Sequence, residues 1–188
     1  MQVGVGKLKN KSEKKQMVKR VAILGPESTG KSKLAEDLAA YYNTVFVPEY
    51  ARDYLSGLGR SYNQNDLLQI AKKQQESIRF YETKAKGFLF IDTELIVIKI
   101  WSEFKYKNVH PWIYNEVKKQ AFDLYLLTDT DLPWEEDPLR EHPHKRNRLL
   151  KLYIKELERR NFPYHLVTGL NKQRTLNAIS IIDQCFQL

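Results

Sequence analysis

Positions 25–32 read Gly25-Pro26-Glu27-Ser28-Thr29-Gly30-Lys31-Ser32, two glycines separated by four residues and followed at once by a lysine and a serine. This is the spacing of a loop that wraps phosphate groups. Gly25 and Gly30 let the backbone take conformations that a Cβ forbids, so the amides of Glu27, Ser28, Thr29, Gly30, Lys31 and Ser32 can turn toward anionic oxygens. A helix that starts here adds unsatisfied donors and partial positive charge. Lys31 is placed to reach the β- and γ-phosphates of a nucleoside triphosphate, with Lys33 close by, and the Ser32 hydroxyl is placed to hold Mg²⁺. The bland alternative is an ordinary glycine turn before a helix.

The flanks favour the phosphate loop. Arg20-Val21-Ala22-Ile23-Leu24 suits a strand buried on both faces, and Leu34, Ala35, Leu38, Ala39, Tyr41 and Tyr42 recur at helical spacing. A second strand is expected over 44–48, after which Glu49-Tyr50-Ala51-Arg52 leaves its carboxyl end, where ligands bind in an open α/β sheet. Gly57 and Gly59 break a short helix, and 63–86 reads as a long one capped by Asn63 or Asn65. Phe88-Leu89-Phe90-Ile91 is a third strand ending in Asp92, the form of a second nucleotide-site motif whose carboxylate holds Mg²⁺ directly or through water. Residues 95–104 have strand propensity, but Thr93 as a cap and the need for a crossover favour a helix. A helix over 111–120 and a fourth strand within 123–128 follow. Residues 129–144, with Pro133, Pro138 and Pro143, read as a lid or binding loop. A helix ending near Asn161, a fifth strand over 164–168 and a last helix marked by Leu176, Ile179, Ile182 and Phe186 complete a parallel α/β sheet.

The chain has 188 residues, which suits one domain, expected over 19–188. Its formal charge is +8, but seven basic residues against Glu13 put +6 in the first twenty residues and leave +2 for the body. That argues for a disordered basic arm over 1–18 and against a nucleic-acid-binding face on the body. Cys185 is the only cysteine, so no internal disulfide forms, and its neighbours Ile182, Phe186 and Leu188 suggest a small core residue. The N-terminus lacks the apolar stretch of a signal peptide and no apolar run approaches ~18 residues, so the expectation is a cytoplasmic protein without a membrane partner.

The runs GPESTGKS (25–32), PEYAR (48–52), FIDTELIVIKIWSEFKY (90–106) and YLLTDTDLPWEEDPLREHP (125–143) resemble the ribosylnicotinamide kinase domain of the NadR family, over about residues 19–185. The first run is common to many nucleotide-binding families, whereas LPWEEDPLREHP beside PEYAR is more specific. The resemblance implies an AAA-type ATP-binding domain with a P-loop three-layer fold of the nucleoside and nucleotide kinase kind, strand order 2-3-1-4-5. It also implies transfer of the γ-phosphoryl group of ATP to the 5′-hydroxyl of nicotinamide riboside, giving nicotinamide mononucleotide in NAD salvage. Family members carry a preceding adenylyltransferase domain, and some a helix-turn-helix. Neither is expected here, since only about 18 residues precede the first strand and no His-x-Gly-His occurs. Homo-oligomerisation is left open.

By similarity with nucleoside kinases, Lys31, Glu49, Asp92 and Arg140 are the catalytic candidates. Glu49 takes the role of general base or 5′-hydroxyl-orienting group and Asp92 joins Ser32 in the metal shell, with the reverse division as the alternative. A surface ion pair with Arg52 is the bland alternative for Glu49. Arg140, Arg146 and Arg148 are candidates to close over ATP, against a solvated Arg140 paired with Glu136 or Glu141. A flat cationic pyridinium stacks well on aromatic rings, so Trp134 and Trp101 are base-binding candidates, with Tyr50 and Trp112 behind them and core packing as the alternative for Trp101. Arg52 joins the substrate side. Asp129 and Asp131 either accept from ribose hydroxyls or cap their loop. His142-Pro143-His144 lacks further metal ligands, and His110 and His165 receive no role. Competing readings are a kinase for another nucleoside or for a nucleotide monophosphate, for which only Arg52 and Arg60 lie near Glu49, and a non-catalytic ATP-gated sensor.

Overall fold

The computed structural model describes residues 17–188, so the expected basic arm over 1–18 lies, but for its last two residues, outside the described residues. Five parallel strands, β1 (Lys19–Leu24), β2 (Phe46–Val47), β3 (Phe88–Asp92), β4 (Leu124–Thr128) and β5 (Tyr164–Val167), form one sheet in the order β2-β3-β1-β4-β5. The central strands are apolar on both faces because helices cover both. Val21, Ala22, Ile23 and Leu24 are fully buried. Parallel neighbours need crossovers, and these are α1 (Lys31–Tyr41), α2 (Tyr50–Ser56), α3 (Gln64–Glu82), α4 (Leu95–Tyr106), α5 (Pro111–Lys119), α6 (Arg146–Arg159) and α7 (Lys172–Phe186). Two apolar clusters result. One packs α1 and α7 on one face of the sheet, and the larger one joins α2 through α6 on the other.

Register decides where chemistry can occur. Ile23 lies opposite Asp92 on one side and Leu126 on the other, so β1, β3 and β4 end within a residue or two of one level. Gly25, Asp92 and Thr128 therefore share the carboxyl edge.

Several boundaries differ from the sequence expectation for identifiable reasons. β2 keeps only two residues of the expected five, because Pro48 has no N–H to donate and the Thr44 hydroxyl bonds Phe88 O instead. α3 starts at a capping box, with Asn63 accepting from the Asp66 amide and Asp66 from the Asn63 amide. It ends at Glu82 rather than residue 86, because the chain must turn into β3 through Gly87 at φ 70°. The β-branched run of α4 is helical and buried between α3, α5 and α6, which explains an apolar surface all round. Its cap is Glu94, whose carboxylate accepts from the Ile96 amide, while Thr93 sits at φ 67°. Cys185 is exposed and not core, since it falls in the final turn of α7 with only the exposed His165 beside it, 3.5 Å from Sγ to Nε2. Leu176 is exposed too, off the stripe of Ala178, Ile179 and Ile182. Among the described residues no helix is long and apolar enough to cross a membrane.

Candidate active site

The phosphate loop runs from the end of β1 to the start of α1, and its shape is fixed by three left-handed or extended residues. Gly25 has φ 147°, and a Cβ there would collide with the Thr128 hydroxyl. Ser28 and Gly30 sit at φ 56° and 74°. Thr29 turns inward, its hydroxyl 2.8 Å from Pro26 O and 2.7 Å from Thr128 Oγ1. Its side chain thus fastens the loop to β4, and only its backbone faces a ligand. Lys31 Nζ donates to Pro26 O at 2.9 Å.

A cavity of about 790 Å³ opens over the loop. On the α1–α7 side Lys33, Asp37, Asn171, Lys172 and Thr175 line it. On the opposite side it is lined by Glu49 and Arg52, by Trp101 and Phe104 of α4, and by Leu149 and Tyr153 of α6. Arg140 and His142 face it from the lid.

Two carboxylates stand behind the loop at neighbouring strand ends. Glu49 is the residue before α2, Asp92 is the last of β3, and Val47 pairs with Ile91 just upstream. Burial raises the pKa of Glu49, the charge of Asp92 raises it further, and Lys31 and Arg52 pull it back. Burial also raises Asp92, against Lys31 and the hydroxyls of Ser32 and Thr93, which favour its ionised form. Glu49 lines the cavity, whereas Asp92 is almost wholly buried and its Oδ2 has no hydrogen-bond partner. A buried unpartnered carboxylate oxygen beside a serine hydroxyl fits a hard divalent cation whose remaining ligands are phosphate and water. Among the described residues there is no cluster of three or more acidic, histidine or cysteine ligands, so a protein-only cage for a softer metal is not built here.

Gln74 organises this corner from the middle of α3. Its amide donates to Pro48 O, Asp92 O and Thr93 O at 3.2, 3.3 and 2.9 Å, and its Oε1 accepts from the Tyr50 amide at 2.9 Å. One buried side chain therefore ties the two carboxylate-bearing strand ends together. Its place on an amphipathic helix gave no sequence signal. Arg52 does not pair with Glu49. It reaches across to Asp137 of the lid at 2.9 Å.

The lid, residues 129–144, is irregular as expected, with one 3₁₀ turn at Pro143–Lys145. Ser28 Oγ accepts from the Glu135 amide at 2.9 Å and from Arg140 at 3.3 Å. Glu27 accepts from the amides of Glu141 and His142 at 3.1 and 2.9 Å, which fastens the lid to the phosphate loop. Arg146 donates to Ser28 O and Leu132 O at 3.0 and 2.9 Å. Arg140 also bonds Glu135 O and lies 3.7 Å from the Glu135 carboxylate, rather than pairing with Glu136 or Glu141.

Some expected contacts are not assembled. Trp134 does not line the cavity; its ring lies 6.0 Å from each of the Arg140 and Arg146 guanidinium carbons and so supports two arginines instead of a base. Arg148 is exposed, 5.5 Å from the Phe104 ring, and does not reach the loop. Asp131 binds Arg174 and the Gly169 amide, and Asp129 accepts from the Thr130 amide, so both are held in loop contacts outside the cavity lining. Tyr50 packs 6.1 Å from Tyr54, and Trp112 lies near Lys72. Trp101 does line the cavity, with its indole N–H donated to the Tyr62 hydroxyl at 2.7 Å. His142 and Tyr153 line the cavity and were not anticipated: the first looked like half of a failed metal pair, and the second, in the middle of a helix, carries no site signal in the sequence. Asn171 and Lys172 follow β5, and the carboxyl-end rule for α/β sheets contained the signal for them.

A family model described as an AAA domain matches residues 20–174. The trifunctional NAD biosynthesis/regulator protein NadR of Salmonella typhimurium is 29% identical over 174 residues, covering 89% of this chain and 42% of that protein. Its Escherichia coli counterpart is 32% identical over 153 residues, covering 78% and 37%. The chain thus spans about two-fifths of the length of these curated relatives. A crystal structure of NadR protein in complex with NR superposes with a TM-score of 0.80 at 20% identity, over 91% of this chain and 52% of that one. Deoxyadenosine kinase from M. mycoides, with products bound, gives 0.62 at 15% over 90% and 100%. The fold is that of P-loop nucleoside kinases, and with residues 20–174 matched the chain belongs to the AAA domain family.

Proposed function

We propose that this chain is a Mg-ATP-dependent nicotinamide riboside kinase that forms nicotinamide mononucleotide. The observation that carries the reading is the placement of Glu49, which opens into the same cavity as the phosphate loop with Asp92 directly behind it. The NadR relatives and the NadR complex with NR support this choice of acceptor.

Lys31 and the loop amides hold the β- and γ-phosphates. Glu49 orients the 5′-hydroxyl and takes its proton, and its raised pKa makes it a better proton acceptor than an ordinary carboxylate. Ser32 and Asp92 are the residues that would hold Mg²⁺, which would supply positive charge to offset that of the phosphates. Arg140, held over Ser28, neutralises charge that builds on the transferred group. Trp101 and Phe104 are the aromatic residues of α4 that line the cavity, and Trp101 is the one suited to stack on a pyridinium, since Phe104 already has Lys107, Lys145 and Arg148 over its ring.

A monophosphate acceptor needs free cations beside Glu49. Arg52 is tied to Asp137 and Arg60 to Asp66, which favours an uncharged 5′-hydroxyl. ADP release measured across nucleosides and monophosphates tests the proposal. Turnover should be highest with nicotinamide riboside; a preference for a purine nucleoside would change the acceptor, and no acceptor-dependent release would leave only an ATP-gated sensor.

A further inference from the structure

We propose that Tyr153 is a substrate contact whose phenol O–H donates a hydrogen bond to the 2′- or 3′-hydroxyl oxygen of the acceptor's ribose. This rests on the nucleoside kinase reading above.

Tyr153 sits in the middle of α6, only 4% exposed, with its ring in the larger apolar cluster. It nevertheless lines the cavity, and its hydroxyl makes no hydrogen bond among the described residues. Buried phenols normally find a partner, and a phenylalanine would fill the same volume without leaving a donor unpaired. The nearby carboxylates do not take it: Glu27 accepts from two lid amides, and Glu94 accepts from the Ile96 amide and Gln120. The hydroxyl is not among the buried atoms left without a partner, so it opens to the cavity, where a ligand oxygen can take the place of water.

The position of the phenol selects the sugar over the base. It shares the cavity lining with Glu27 of the phosphate loop and with Glu49, the residues beside which the 5′-hydroxyl must sit. The flat face suited to a base belongs to Trp101 on α4. Burial and the surrounding carboxylates keep the phenol protonated, so it acts as a donor.

The test is Tyr153→Phe, assayed by ADP release with nicotinamide riboside and with its 2′,3′-dideoxy analogue, alongside thermal melting. The expected result is a 5- to 20-fold rise in KM for the riboside, an ATP KM within twofold of wild type, an unchanged or higher melting temperature, and no effect of the substitution on the dideoxy analogue. An unchanged riboside KM, an equal loss with the dideoxy analogue, or a loss shared with ATP overturns the assignment. A wild-type chain that releases ADP with no nucleoside overturns the kinase reading as well, whereas wild-type turnover with an unaffected variant removes only the Tyr153 contact.

Discussion

Glu49 and Asp92 share a desolvated corner yet differ in what they face, and that difference separates their roles. Glu49→Gln keeps the shape and removes the proposed base, so kcat should fall by about 10²- to 10⁴-fold while the ATP KM stays within a few fold in steady-state kinetics. An equal loss in both would move Glu49 into the metal shell. Because burial raises its pKa in the free protein, the acid limb of the kcat/KM profile should lie above the ordinary carboxylate range, with activity gained as pH rises through it. Trp134 makes the opposite prediction from the one its sequence context suggested. Its ring braces Arg140 and Arg146, so Trp134→Ala should raise the ATP KM and lower kcat several-fold, with the nucleoside KM nearly unchanged. The places of the phosphate loop, Glu49 and Asp92 on the carboxyl edge of the sheet were legible because each follows a strand end at fixed spacing. Trp134 was misread because an aromatic residue in a charged loop looks the same whether it meets a ligand or a guanidinium.

At the scale of elements, α3 does more than cover the sheet. Gln74 bonds four backbone groups, Pro48 O and the Tyr50 amide after β2 and Asp92 O and Thr93 O at the end of β3, so Gln74→Leu should leave several buried polar groups unpaired. The expected cost is on the order of 2–3 kcal/mol in urea unfolding, with kcat reduced more than the ATP KM is raised, since both carboxylates lose their reference point. Helix existence was readable from periodicity at α1, α3, α6 and α7, and at α4 from the need for a crossover, against a strand-forming composition. The ends were not, because they depend on tertiary events: the Thr44 hydroxyl displaces a ladder bond at β2, and Gly87 turns the chain four residues earlier than the polar stretch before it suggests. Gln74 was invisible for a related reason, as a glutamine on a half-buried helix carries no mark of the backbone it will meet.

Across the whole molecule, the alternation of strands and helices carried only a parallel α/β sheet, while the strand order β2-β3-β1-β4-β5 was available through the family resemblance alone. The cavity wall was not, since α4 and α6 meet only after folding and their inward residues read as ordinary core. The same interior holds a global pH sensitivity. Glu94 is fully buried, and burial raises its pKa to about 7 despite the opposing bonds from Gln120 and the Ile96 amide and the charge of Arg160. The folded value lies above the unfolded one, so the native state is favoured below about pH 4.5 and loses stability as pH rises toward 7, by roughly 3 kcal/mol in total. Glu94→Gln should flatten that dependence and raise stability at pH 8, as read from denaturant midpoints at pH 5 and pH 8.

The bridge from Arg52 of α2 to Asp137 of the lid means that the segment carrying Glu49 and the flap over the phosphate loop pull on one tether. Arrival of either reactant is therefore felt by the other, and the two affinities should depend on each other. High ionic strength, by screening a half-exposed pair, should make them more nearly independent.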